Sequence, residues 1–282
     1  MIMPLTAASP AAAAEFLRLV QIMAALRSPQ GCPWDREQTL GSLSQFVLEE
    51  AYEVVDAIER GDLDALREEI GDHIFEGVFL AQIAADAGSF TIADSLKAVS
   101  DKLVRRHPHV FRGDGQLHDE ASKERAPTAD AALSRWDSQK AQEKAAAGRT
   151  SATLGELPAS LPALLRAYKL GKRAAGVGFD WVQAGDVVSK IEEEVAELRD
   201  TLASEPGNKD RAEEEMGDLL FAIANLSRKL GIEPEAALRH ANQKFKARFE
   251  SMEAAAASSG RRLQDMTLED LETEWVQAKQ RA

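Results

Sequence analysis

The chain has 282 residues, 44% of them hydrophobic, and a formal net charge of −13. Such a length suits two ordinary domains, and the acidity argues against general affinity for nucleic acid, whose phosphates require a basic surface. No apolar run approaches the roughly 18 residues of a membrane span, and the lone Cys32 excludes an internal disulfide and suits a reducing cytoplasm.

Strand signals are weak and helical spacing dominates. Residues 1–14 are Ala-rich, lack a basic leader and are expected to form a flexible N-terminus. Phe16, Leu19, Val20 and Met23 then recur at helical spacing, followed by Val47, Ala51, Val54, Val55 and Ile58, and by Ile70, Ile74, Phe75, Val78 and Phe79. Gly61-Asp62 and Gly88-Ser89 read as breaks between these helices. A fourth helix is expected to begin near Thr91 or Asp94 and to stop before Pro108. Residues 112–130, rich in Gly, Asp, Ser and Pro, are expected to form a mobile loop, and 141–158 to form a linker. A second series follows over Leu164 to Ala174, Val187 to Leu202, Arg211 to Leu230 and Pro234 to about Ala256. Short connections favour antiparallel neighbours. The predicted fold is therefore all-α, with two tandem helical bundles over residues 15–140 and 159–282.

One carboxylate pattern appears twice. Glu50 and Glu53 precede Glu69 and Asp72; Glu194 and Glu197 precede Glu215 and Asp218. Glu50 and Glu194 stand 144 positions apart, and Asp72 and Asp218 stand 146 apart, so the pattern marks a duplicated unit. Residues three apart share a helix face. Two such helices side by side would gather four carboxylates, whose repulsion calls for a proton or a hard divalent cation such as Mg²⁺. A solvated acidic face is the plainer reading of one E-x-x-E, but two copies in register favour a metal site. Gly71 and Gly217 lie between their acids inside helices, at a cost of roughly 1 kcal/mol each; close helix packing is the favoured cause, and backbone approach to a ligand the sharper one. Asp56 and Asp200 either extend the acidic face or are solvated.

Basic residues at helical spacing follow in each copy: Lys102 and Arg106, then Lys244 and Arg248, suited to phosphate as point charge and fork. Asn242 joins the second set, whereas the first has Ser100. Trp136 and Trp275, with Lys140 and Lys279 four residues on, either stack on a base or belong to the core. Trp34 and Trp181 line a pocket or, as preferred, pin a loop. The five histidines show no ligand spacing, and no P-loop, dinucleotide fingerprint or Ser-His-Asp order is present.

With these motifs the chain resembles the MazG family of nucleoside triphosphate pyrophosphohydrolases in its two-domain bacterial form. The likeness rests on Gly31-Cys32-Pro33-Trp34-Asp35, Glu49-Glu50, Glu53, Glu69, Asp72 and Arg105 to Phe111. In the second half it rests on Val177 to Trp181, Glu193-Glu194, Glu197, Glu214 to Asp218 and Asn242 to Phe249. The resemblance implies an all-α homodimer that uses Mg²⁺, with Mn²⁺ able to substitute, to hydrolyse nucleoside triphosphates of broad identity to monophosphate and pyrophosphate. It implies metal ligation by Glu194, Glu197, Glu215 and Asp218, with Glu50, Glu53, Glu69 and Asp72 as the first-domain counterparts. Lys190, Ile191, Glu192, Glu193 and Glu194, Arg211, Ala212, Glu213 and Glu214, Asp218, Asn242, Lys244, Phe245, Lys246, Ala247, Arg248, Trp275 and Lys279 would bind the nucleotide. The second domain would be the catalytic one, because Ser100 and His107 replace Asn242 and Phe249 in the first.

The expected mechanism is metal-assisted attack of water on the triphosphate, with Lys244 and Arg248 neutralising pyrophosphate and Glu193 orienting the water. Two alternatives differ in class. A di-iron oxidase would need Glu-x-x-His ligands that neither copy has. A non-catalytic helical interaction module would use the acids only to hold cations or a basic partner.

Overall fold

The computed structural model describes residues 10–112, 115–118, 128–146, 152–204 and 207–281. Among the described residues there are eleven α-helices, one short 3-10 turn at Leu263–Asp265, and no strand beyond an isolated bridge between Phe111 and Leu117. The all-α expectation holds. Among the described residues no helix is long and apolar enough to cross a membrane. The chain divides into two compact units, Met1–Glu143 and Lys144–Ala282.

The first unit holds α1 (Pro10–Arg27), α2 (Pro33–Glu37), α3 (Ser44–Arg60), α4 (Leu63–Asp86), α5 (Ile92–Arg106) and all but the last three residues of α6 (Ala129–Ala146). The pair Gly61-Asp62 acts as one hinge. Gly61 takes the left-handed conformation (φ 67°) that closes α3, and the Asp62 side chain accepts the Ala65 N–H at 3.0 Å to open α4. With so short a turn, α3 and α4 must pack side by side. The core of the unit is Met23 on α1, Leu43 just before α3, and Val78 and Phe79 on α4, flanked by Phe16, Leu19, Phe46, Phe75 and Ile83. Burying each such side chain contributes about 1.5–3 kcal/mol. Thr91 and Asp94 form a reciprocal capping box at the start of α5.

Helix reaches further than the composition suggested. Residues Pro10 to Ala14 already belong to α1, and α6 continues to Ala146, into the stretch expected as linker. Residues 1–9, 113–114, 119–127 and 147–151, on which the rest of the expected flexible terminus, loop and linker falls, lie outside the described residues. Cys32 is half-buried.

The second unit holds α7 (Ala163–Ala175), α8 (Ala184–Ser204), α9 (Lys209–Lys229), α10 (Pro234–Ser258) and α11 (Leu268–Arg281). Here α9 is the spine, packed against α7, α8 and α10. Its centre is polar. Asn225, 0% exposed, donates to the Phe221 carbonyl at 3.1 Å and accepts from Arg228 Nε at 3.2 Å. Arg228 in turn grips Asp180 at 2.5 Å, with Lys229 at 2.8 Å, which ties the α7–α8 loop to α9. The Arg228 hydrogen bond, with help from Lys229, holds the Asp180 carboxyl down to about 2.

That centre explains Gly171 on α7, where an added Cβ would sit 2.0 Å from Asn225 Oδ1. The Asn225 side chain cannot swing aside without breaking both of its hydrogen bonds. Gly171→Ala is therefore expected to lower stability by about 1–3 kcal/mol through overpacking, seen as an earlier midpoint in urea unfolding. An unchanged midpoint would show that α7 can slide off α9 at no cost.

Candidate functional site

The short turn between paired helices brings the predicted carboxylates together. In the second unit Glu194 on α8 and Glu215 and Asp218 on α9 offer oxygens that all lie within 4.8 Å of one another. Glu194 and Glu215 are only 4% and 3% exposed, whereas Asp218 opens to solvent. In the first unit Glu50 on α3 meets Glu69 and Asp72 on α4 within the same 4.8 Å. The fourth predicted ligands, Glu197 and Glu53, are exposed and stand outside those triads. They remain electrostatic neighbours. Burial and then the charges of Glu194 and Glu215 push the Glu197 carboxyl up, and Glu69 is pushed up by burial, by the Glu53 charge and by a hydrogen bond shared with Glu53.

Local cations balance the second cluster. Lys190 Nζ lies 2.7 Å from both Glu193 and Glu194, and Arg211 Nε lies 2.8 Å from Glu215. The hydrogen bonds to Glu193 and then Glu194 push the Lys190 amine up. One buried acceptor is still unpartnered, Glu194 Oε2, and Glu50 Oε2 is its counterpart in the first unit. A set of carboxylate oxygens with an orphaned buried acceptor fits a hard divalent cation. No His or Cys belongs to either triad, which disfavours a carboxylate–His di-iron centre.

The other predicted contacts sort unevenly. Asn242 to Arg248 lie on α10, and Trp275 and Lys279 on α11. Phe245 packs on Trp275 at 5.2 Å between ring centroids, Phe249 stacks on Phe245 at 6.1 Å, and Lys279 lies 5.8 Å over Trp275. This makes an aromatic platform with cationic edges. Arg248 Nε is buried without a partner, and Lys244 and Asn242 are exposed. Among the described residues no hydrogen bond or ion pair joins these three to the carboxylates. Lys246 pairs with Glu250 instead, on the helix's own surface. Glu192, Glu213 and Glu214 are exposed, Ile191 and Ala212 half-buried, and Ala247 exposed, without links to the triad.

The first unit repeats the platform in altered form. His107 packs on Trp136 at 4.8 Å, and Arg106 lies over the same ring at 5.2 Å. Arg106 is already engaged by Glu143 at 2.6 Å, and the hydrogen bonds from Arg106 and then Arg105 pull that carboxyl down to about 2. Asp56 pairs with Arg60 at 2.8 Å and so stands apart from the acidic face.

Three features escaped the sequence reading. A Cβ at Gly71 or Gly217 would meet nothing within 4 Å, so close packing inside this chain is not what excludes bulk there. Trp181 lines a cavity of about 460 Å³ with Leu170, Gly171, Phe179, Phe221 and Asn225, rather than merely pinning its loop. Glu76, one turn beyond Asp72, is buried; its i,i+4 spacing was the available signal.

Known proteins match this arrangement. A family model for the MazG nucleotide pyrophosphohydrolase domain matches twice, over residues 38–111 and 185–252. A nucleoside triphosphate pyrophosphohydrolase of Escherichia coli K12 is 46% identical over 93% of this chain and 96% of its own length. A nucleoside triphosphate pyrophosphohydrolase/pyrophosphatase MazG of Thermotoga maritima is 43% identical over 94% of this chain and 95% of its own. A nucleoside triphosphate pyrophosphohydrolase of Mycobacterium tuberculosis is 37% identical over 52% of this chain and 41% of its own.

The open space beside Gly217 has a measurable consequence. Gly217→Ala should raise stability by about 1 kcal/mol through helix propensity alone, read from thermal unfolding. A drop would mean that packing, from this chain or a second copy, occupies that space.

Proposed function

Because the chain belongs to the MazG nucleotide pyrophosphohydrolase family, we propose that its second unit hydrolyses nucleoside triphosphates to monophosphate and pyrophosphate with Mg²⁺, across several bases. The observation that carries this reading is the Glu194–Glu215–Asp218 triad, two of its acids buried and the third open to solvent, bracketed by Lys190 and Arg211 and holding an unpartnered acceptor. Glu194, Glu215 and Asp218, with Glu197 at the rim, would hold the cation. Bound there, Mg²⁺ or Mn²⁺ would supply Lewis-acid polarisation of the phosphates.

The protein's own groups do the rest. Lys190 and Arg211 spend their charge on carboxylates whose oxygens a cation also needs. Once those oxygens are neutralised otherwise, both side chains are free to turn to phosphate, as a point charge and a fork. Lys244 and Arg248 add charge against the departing pyrophosphate, and the unsatisfied Arg248 Nε is a donor ready for an acceptor. Trp275, backed by Phe245, offers a π-face to any base, which favours broad specificity over base readout. Glu193, fixed by Lys190, is the candidate to orient the water. The absence of bulk at Gly217 leaves room for the phosphate chain beside the triad.

A homodimer fits the surface of the same helices. Val188, Val195 and Leu202 form a stripe on α8, and Met216, Leu220 and Ile223 another on α9, all exposed in the single chain. Apolar stripes flanking a polar site suit burial by a second copy. The substrates are those of the cytoplasmic nucleotide pool.

Pyrophosphate and orthophosphate release from a panel of nucleoside triphosphates with Mg²⁺ tests the activity. Loss of pyrophosphate in Glu215→Ala, with retention in Glu69→Ala, is the expected pattern. Full activity in Glu215→Ala would refute the site, and no pyrophosphate from any substrate would favour a non-catalytic helical module. Sedimentation equilibrium should give about twice the 30.7 kDa chain mass; a monomer would sink the dimer.

A further inference from the structure

We propose that the second unit carries a docking site for an acidic peptide segment with a bulky apolar anchor, formed by the α7–α8 loop, the cavity which that loop lines and the basic edge of α7. The loop holds apolar side chains out in water: Val177, Phe179 and Val182 are 65%, 80% and 95% exposed. It is nonetheless fixed in place. The Val177 and Phe179 amides both donate to the Ala174 carbonyl at 3.1 Å, and Gly178 takes a left-handed turn (φ 87°). Asp180 is gripped by Arg228 at 2.5 Å and Lys229 at 2.8 Å, and Lys229 also donates to the Trp181 carbonyl. An apolar loop already held in one conformation loses little entropy when a partner covers it.

Phe179 and Trp181 also wall the cavity of about 460 Å³, with Leu154, Leu170 and Phe221. Its polar floor is already engaged: Asn225 bonds to the Phe221 carbonyl and Arg228, and Arg228 holds Asp180. A nucleobase on that floor would leave most of its N–H and carbonyl groups unpaired, whereas a Leu, Phe or Trp side chain has none to lose or only one. Charge comes from the rim, since α7 contains four basic residues and no acid. Arg166, Lys169 and Arg173 follow at steps of three and four and share one face. Leu170 and Ala174, each one position further and so about a quarter turn around the helix, line the cavity, which therefore borders that cationic edge. Arg173 is engaged by the Leu154 and Glu156 carbonyls. Arg166 and Lys169 are exposed and, among the described residues, have no ion pair or side-chain hydrogen bond. Two acids that reach α7 and its loop are engaged elsewhere, Asp180 by Arg228 and Lys229, and Glu235 by the Leu164 and Leu165 amides.

These features select among occupants. A small ligand inside the cavity would leave Val182, which does not line it, in water; a peptide can cover both. A second copy fits less well, because a two-fold contact pairs a patch with itself and would set Arg166 and Lys169 against like charges. An acidic segment meets those cations with carboxylates and fills the cavity with one large apolar side chain, a buried anchor inside a charged rim. This site does not rest on the catalytic reading of the same unit.

The test selects random peptides displayed on phage against the full chain, without metal or nucleotide. The enriched sequence is then synthesised with a fluorophore and titrated by anisotropy. We expect Asp and Glu around a Leu, Phe or Trp, and binding that weakens as salt is raised. The variants Arg166→Glu/Lys169→Glu and Phe179→Ser alter exposed side chains, and circular dichroism reports that they are folded. Each should weaken binding at least about tenfold. Should Phe179→Ser not fold, the charge-reversed variant carries the test. No enrichment, enriched peptides that are basic or lack a large apolar residue, or undiminished binding in either folded variant would overturn the proposal. So would a dimer that Phe179→Ser turns into a monomer in sedimentation equilibrium, which would give this face to a second copy. Flotation with phosphatidylglycerol vesicles that Arg166→Glu/Lys169→Glu abolishes would overturn it too, in favour of a membrane.

Discussion

Like charge held at close quarters is the constraint on which this structure turns. Each unit forces three carboxylates within 4.8 Å of one another, an arrangement that repels itself unless protons or cations intervene. Two packed helices joined by a short connection impose it. In the first unit Gly61 closes one helix and Asp62 opens the next, so α3 and α4 cannot drift apart to relieve the repulsion. Apolar packing below, at Phe79 and Val78, supplies the opposing stabilisation.

The two copies meet that constraint in different ways. In the second unit the protein brings its own cations, Lys190 and Arg211, to the acids. The same residues become available for phosphate when the acids are otherwise neutralised, so one pair of side chains links cation and nucleotide. In the first unit Phe46 and Ala65 stand at those positions, Glu76 is buried one turn beyond Asp72, and Arg106 over the aromatic platform is engaged by Glu143. Duplication has kept the acidic triad and changed its surroundings. The chemistry of a carboxylate cluster depends on those surroundings as much as on the acids.

Much of the site was legible because helical periodicity is a local rule. Three-residue spacing puts Glu215 and Asp218 on one face whatever else packs nearby. Glycine at 71 and 217 was open to misreading, since the same residue serves close packing and open space; only the neighbours, absent within 4 Å, distinguish them. Gly171 is the converse, a position where packing against Asn225 leaves no room and where no local pattern says so. The burial of Glu76 is likewise visible only once the helices are packed.

The sequence by itself determined the all-α class, the duplication, the helix limits near Thr91 and Pro108, and the recurrence of acids at three-residue spacing in each unit. These follow from spacing, capping and turn chemistry, which act over a few residues. Only the tertiary structure decided which acids meet, that Glu53 and Glu197 stay at the rim, that Lys190 and Arg211 neutralise one cluster, and that Glu76 is buried. Burial and charge compensation depend on residues far apart in the chain, and no local periodicity records which of them will be neighbours.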